Sequence, residues 1–298
     1  MAEQFCTLSG DVELCYETFG DPAGPALLLS MGLATQMIGW HEDFCRALAD
    51  RGFHVIRYDN RDVGRSKSMT GPVPGILQLL RRDKRAASYT LEDLAADGIG
   101  LLDHLGIERA HVMGASMGGM IAQTIAARHH DRVLSLVSMM SNTGARWIGE
   151  PSPRLYPVLL KASPRDREAY IDHAVWVFSK IGSPGFPPDD DQLRELAAQS
   201  FDRGRNPAGA ARQLAAIIAS GDRTPLLRTI SVPTLVIHGK RDRLVPVSGG
   251  RATAKAIPGS RLLVIDGMGH DIPRGAWPRM LDAIEQNAAR AGTQAAAA

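Results

Sequence analysis

Aromatic residues are scarce, at 5 % of 298 positions, and there are only three cysteines. Cys6, Cys15 and Cys45 form no Cys-x-x-Cys pair, which gives little support to a zinc-ribbon or thioredoxin-like reading. An excess of one charge is missing too. Lys+Arg 34 against Asp+Glu 32 leaves +2, so no electrostatic case exists for nucleic acid or an anionic membrane as the main partner. No stretch approaches the roughly 18 uninterrupted apolar residues that a membrane helix needs. The first residues, Met-Ala-Glu-Gln-Phe, have neither a basic start nor an apolar signal core, so a cytoplasmic location is expected. No His-x-x-x-His or histidine/carboxylate cluster stands out, and no metal site is expected. What remains is an ordinary globular composition, 44 % hydrophobic and 22 % charged, in a chain long enough for a full core.

Along the chain, the runs on either side of Ser9 to Asp11 read as a hairpin with Gly10-Asp11 at a two-residue turn, which places Cys6 opposite Cys15. Directly opposed strand positions suit a disulfide poorly, and two free thiols are expected in a reducing compartment. Apolar runs then alternate with helical patterns. Strands are expected at Ala26–Leu29, His54–Tyr58, Ala110–Met113, Val133–Met140, Thr234–His238 and Arg261–Ile265. Helices are expected at His41–Arg51, Ile76–Arg85, Thr90–Leu105, Met117–Arg128 and Trp277–Ala289, with a frayed tail at Ala295–Ala298. This alternation predicts an α/β fold with a mostly parallel sheet covered on both faces. Residues 142–230 break it with helical patterns only, around Leu155–Lys161, Asp166–Lys180 and Gln192–Ser220. The expected division is a core of 1–141 and 231–298 carrying a helical cap, 142–230.

Gly114-Ala115-Ser116-Met117-Gly118 matches Gly-x-Ser-x-Gly and lies between an expected strand and an expected helix, the setting this motif requires. The serine then stands on a tight turn at the carboxyl end of the sheet, where open α/β sheets bind ligands. A serine hydroxyl needs a base, and the base an orienting acid. Two later segments offer them in the order acid then histidine. Asp242 follows the strand Thr234–His238, and His270 follows Arg261–Ile265 in the loop Asp266-Gly267-Met268-Gly269-His270. Asp222, Asp266 and Asp271 read as turn residues, and Ser141-Asn142-Thr143-Gly144, after the preceding strand, holds no carboxylate. The other histidines read as structural. Asp59, Asn60 and Asp62 are expected to shape the loop after His54–Tyr58.

These residues resemble the α/β-hydrolase fold family. The segments Tyr58-Asp59-Asn60-Arg61-Asp62-Val63-Gly64-Arg65-Ser66, Gly114-Ala115-Ser116-Met117-Gly118-Gly119-Met120 and Gly267-Met268-Gly269-His270 look most like its branch of small bacterial serine esterases, which includes a methylesterase of polyketide glycosides. The resemblance implies an eight-stranded, mostly parallel sheet flanked by helices, with a helical cap. It also implies a triad of Ser116, Asp242 and His270, and an oxyanion hole made by the backbone N–H groups of Met117 and Leu33. The loop before Leu33 carries Met31-Gly32 in place of the common His-Gly.

The expected function is hydrolysis of a neutral, moderately hydrophobic carboxylic ester, a methyl ester among the candidates, by two-step acyl transfer without a cofactor. Lactone, thioester and C–C hydrolysis and cofactor-free perhydrolysis use the same triad and stay open. A ligand-binding homologue without catalysis is the alternative from another class. Met31, Gly32, Trp147, Trp176 and Phe178 are the expected pocket residues, because the chain's few aromatics gather in the insertion and near Leu33. The expected partner is a small-molecule ester, not nucleic acid or membrane, and a homo-oligomer is left open.

Overall fold

The computed structural model describes residues 2–159 and 161–295, so Leu160 and the last three alanines of the expected tail lie outside the described residues. Eight strands form one sheet: β1 Gln4–Leu8, β2 Val12–Phe19, β3 Ala26–Ser30, β4 His54–Tyr58, β5 Ala110–Ala115, β6 Val133–Met139, β7 Thr234–Gly239 and β8 Arg261–Ile265. Their spatial order is β1-β2-β4-β3-β5-β6-β7-β8. β1 and β2 run antiparallel, as do β2 and β4, and every other neighbouring pair is parallel. Every residue of β3, β4, β5 and β7 is buried, as near-continuous apolar strands in a sheet covered on both faces must be.

The helices are α1 Glu42–Ala49, α2 Ile76–Leu80, α3 Leu91–His104, α4 Met117–Arg128, α5 Tyr156–Leu159, α6 Arg167–Ile181, α7 Asp190–Arg203, α8 Pro207–Ser220, α9 Thr224–Leu227, α10 Val247–Ala256 and α11 Trp277–Ala295. Strand alternation sorts the core into two layers. Leu28, Ile56, Val112 and Leu136 pack with Leu94 and Leu101 of α3 and Ile121 and Ile125 of α4. Their sequence neighbours Leu27, Leu29, Val55, Met113 and Val137 face the other way, toward Phe44 and Leu48 of α1 and Met280 and Ile284 of α11. Cutting one such Leu or Ile to Ala costs about 2–5 kcal/mol, so each layer alone outweighs the net stability of a domain. No described helix is long and apolar enough to cross a membrane.

Three expectations need correction. First, Leu8 pairs with Val12 and Cys6 with Leu14, so Cys15 lies opposite Phe5. The hairpin loop has three residues, Ser9 to Asp11, with Gly10 and Asp11 at φ 77° and 65°. The extra residue slips the register by one, which turns the two thiols to opposite faces. All three thiols are free and buried. Second, the pattern Gln192–Ser220 is two helices. α7 stops at Gly204 (φ 122°), and α8 starts afresh with Asn206 as its N-cap and Pro207 at its first position. Third, two helix ends shift: α2 stops at Leu80, five residues short of Arg85, and α11 runs six residues past Ala289. As expected, only helices occur among the described residues between β6 and β7.

Candidate active site

β3 is the strand at which the order reverses, with β4 on one side and β5 on the other. The crevice at the carboxyl ends of these strands is where a doubly wound sheet leaves room for a ligand. Ser116 sits there, between the last residue of β5 and the first of α4, with φ 56° and ψ −118°. That is a costly backbone for a residue with a side chain, and such residues cluster at functional sites. Two bonds fix it: Ser116 N–H donates to Met139 O (2.9 Å), and Ser116 O accepts from Met120 N–H (3.2 Å). The turn closes only because its flanks are glycines. A Cβ on Gly114 would lie 1.9 Å from Gly118 O, and one on Gly118 would lie 2.0 Å from Ser30 O.

The second contact shows how close α4 comes to the loop after β3. A Cβ on Gly32 would sit 3.2 Å from Ser116 Cβ and 3.7 Å from Ser116 Oγ, so this loop lies against the serine. Asn60 holds it. Its Nδ2 donates to Met31 O (3.0 Å), and its Oδ1 accepts from Ser30 Oγ (3.2 Å). Asn60 therefore serves the β3 loop and not only its own. Met117 N–H is the first of α4 and has no intrahelical partner, which leaves it free to meet an anion.

Asp242 and His270 come together from the ends of β7 and β8. His270 Nδ1 lies 2.7 Å from Asp242 Oδ2. Asp242 is fully enclosed, and its other oxygen accepts from the N–H groups of Leu244 (2.9 Å) and Val245 (2.8 Å). With Nδ1–H committed to the carboxylate, Nε2 is the ring nitrogen left to take a proton. Ser116 Oγ itself makes no hydrogen bond to a described residue. Behind the acid lies a second histidine, His238 of β7, whose strand context carries no sign of a role at the site. His238 Nε2 lies 2.7 Å from Val245 O and 3.6 Å from Asp242 Oδ2. Burial lowers its pKa and keeps the ring neutral, so it donates to Val245 O and tightens the turn that feeds Asp242.

The helical insertion grips both loops. His270 N–H donates to Ile181 O (2.8 Å), and Gly269 N–H donates to Ser183 Oγ (2.8 Å). Asp271, expected to be a turn residue, is half-buried and accepts from Ser183 Oγ. On the other side Arg203 of α7 pairs with Asp59 (2.8 Å), and Arg212 of α8 makes a two-pronged pair with Asp62 (2.7 and 2.8 Å). Burial pushes the Asp62 carboxyl up, but Arg212, Met69 N–H and Tyr89 OH outweigh it and leave its pKa below the usual value. Asp59 and Asp62 thus fasten the insertion, besides ordering their own loop. The available signal was a run of polar residues directly after an all-buried strand; their partners lie 144 and 150 residues away.

Of the expected pocket residues, Gly32 stands directly beside Ser116. Met31 continues the alternation of Leu27 and Leu29 and packs in the core with Trp40 and Phe44. Trp147 is 78 % exposed, with Arg146 stacked 4.8 Å over its ring. Trp176 and Phe178 are half-buried against Leu155, Val158 and Ile181, a cluster on which Leu244 from the turn after Asp242 also packs. Trp40 is fully buried and stacks on Phe44, which also touches Trp277, so two of the four tryptophans belong to one core layer.

The model of the alpha/beta hydrolase fold matches residues 25–273. A rhodomycin D methylesterase of Streptomyces sp. (strain C5) is 30 % identical over 296 residues, covering 92 % of this chain and 94 % of that protein. A 3-oxoadipate enol-lactonase of Acinetobacter baylyi is 30 % identical over 256 residues, covering 86 % of each. Among solved structures, a thermophilic esterase from Thermogutta terrifontis superposes with a TM-score of 0.74 at 25 % identity, covering 98 % of this chain and 99 % of that one. The chain belongs to the α/β-hydrolase fold family.

Proposed function

We propose that this chain is a serine esterase acting on a neutral, moderately hydrophobic carboxylic ester, with methyl esters foremost, through an acyl-enzyme. The observation that carries this reading is the Asp242–His270 pair, 2.7 Å apart, at the same sheet edge as a strained Ser116 that adjoins Gly32. His270 Nε2 takes the Ser116 proton as Oγ attacks the ester carbonyl. The carbonyl oxygen becomes negative and is met by the N–H groups of Met117 and Leu33. Each such donor is worth on the order of 2.7–4 kcal/mol of barrier. His270 then protonates the departing alkoxide, and the alcohol leaves. Water, deprotonated by the same nitrogen, releases the acid and restores Ser116. Asp242 keeps the imidazole in the tautomer and orientation that both steps need. The Ser116–His270 hydrogen bond forms when substrate closes the site, since such bonds are often unformed in the free enzyme.

The helical insertion acts as a cap whose apolar residues Trp176 and Phe178 pack on Leu155, Val158 and Ile181. The named methylesterase relative supports the ester class. The enol-lactonase relative makes a lactone the second reading, since ring opening is the same acyl transfer with a tethered leaving group. Hydrolysis of p-nitrophenyl butyrate by the wild type, its loss in Ser116→Ala, and a screen of methyl esters against lactones test the reading and rank the two. An inactive wild type on every ester and lactone points instead to a ligand-binding protein on this fold.

A further inference from the structure

The loop after β3 closes as a four-residue turn, with Thr35 N–H donating to Gly32 O (3.1 Å). Such a turn leaves the N–H groups of its two central residues, Leu33 and Ala34, without partners inside it. Ala34 also carries a left-handed backbone, φ 54°, which an alanine holds only under outside constraint. The constraint comes from the insertion. Gln213 of α8, wholly buried, accepts from Ala34 N–H through Oε1 (2.8 Å) and donates through Nε2 to Arg61 O (2.9 Å). A second glutamine works in the opposite sense. Gln36, two residues past Ala34 and 5 % exposed, donates to Ser200 O (2.7 Å) and Gly204 O (2.8 Å) at the end of α7.

We infer that Gln213 is a positioning residue for catalysis. By taking the Ala34 N–H, it fixes the turn so that the neighbouring Leu33 N–H is the one left to meet the developing oxyanion. Gln36 holds the far end of the turn to the insertion. The insertion is thereby a part of the oxyanion hole's support, besides covering the site. This inference rests on the acyl-transfer reading above.

The test uses the full-length chain with p-nitrophenyl butyrate and a fluorophosphonate probe. Rates are normalised to the titre of phosphonylated sites, so unfolded molecules do not count. Gln213→Met keeps the side chain's length and removes the acceptor. It is expected to lower kcat about 10- to 100-fold, to leave KM within about threefold, and to slow phosphonylation of Ser116 in parallel. Gln213→Glu keeps an acceptor for Ala34 N–H and is expected to recover kcat to within about fivefold of wild type. If Gln213→Met does not fold, Gln213→Asn carries the test: the shorter amide withdraws its oxygen from Ala34 N–H, and kcat is expected to fall about 5- to 20-fold at constant KM. A wild-type kcat per titrated site in Gln213→Met, or in Gln213→Asn where it stands in, overturns the inference and leaves Ser116 as nucleophile. Equal losses in the Met and Glu variants also overturn it, because a purely structural glutamine cannot be rescued by an acceptor. Failure of the probe to label Ser116 in the wild type overturns the acyl-transfer reading and this inference with it.

Discussion

The main-chain N–H of His270 donates to the carbonyl of Ile181 at 2.8 Å, so the loop that carries the proposed base is bonded to the end of helix α6 in the insertion. Ser183 continues the seam, accepting from Gly269 N–H and donating to the half-buried Asp271. Ser183→Ala removes the acceptor of one and the donor to the other, leaving the buried Gly269 N–H without its partner and the half-buried Asp271 carboxylate short of one donor. The expected cost is about 1–3 kcal/mol. Amide exchange is expected to rise around residues 267–271 while the sheet strands keep their protection, as measured by hydrogen–deuterium exchange and denaturant unfolding.

Asp242 gives the sharpest substitution at the site. Asp242→Asn keeps the shape and lets the side chain present N–H groups to His270 Nδ1, which drives the ring to the tautomer with its proton on Nε2. That ring cannot accept from Ser116. A fall in kcat on the order of 10⁴ is expected, with little change in KM, by steady-state kinetics on p-nitrophenyl butyrate.

The elbow's glycines are a packing requirement. Gly118→Ala puts a methyl 2.0 Å from Ser30 O, a backbone atom that has no freedom to move aside. A loss of at least about 3 kcal/mol is expected, along with separation of α4 from the β3 loop. Chemical unfolding reports the first effect and the titre of phosphonylated sites the second.

The buried Asp62–Arg212 pair ties stability to pH. Asp62 has a folded pKa below its ordinary value, net of the opposing effect of burial. Its contribution is therefore fully present above the unfolded carboxylate pKa of about 3.9 and is lost as pH falls through the lower folded value. Arg212→Ala leaves a carboxylate buried without its cation and is expected to cost about 3–5 kcal/mol at neutral pH. The variant is expected to lose less of its remaining stability than wild type as pH falls below about 4, as read by urea unfolding across that range.

Much of this was legible in the chain, for local reasons. An elbow needs Gly, Ser and Gly within five residues, next to a strand and a helix, and Asp242 and His270 each follow an apolar run. The N-cap at Thr90 needs only Asp93, three residues on, and both reciprocal bonds form. The hairpin register was not legible, because one extra loop residue at Ser9 decides it. Neither was the break in the long helical pattern read, although Gly204 and Asn206-Pro207 mark a stop and a start. The grip of the insertion on the site had no local signature. Ala34 and Gln213 are 179 residues apart, and a buried glutamine inside an amphipathic helix looks the same as a solvated one until the fold is known. Trp147 fails for the converse reason: a large apolar side chain can remain on the surface with a cation over its face.

The proposed role of Ser116 is that of nucleophile in an acyl-transfer reaction. It is tested most directly by intact-protein mass spectrometry with peptide mapping after fluorophosphonate treatment. Wild type is expected to gain one adduct, on the peptide that holds Ser116, in step with loss of esterase activity. Ser116→Ala is expected to gain none and to be inactive. An adduct on another residue, or esterase activity that survives in Ser116→Ala, contradicts the account.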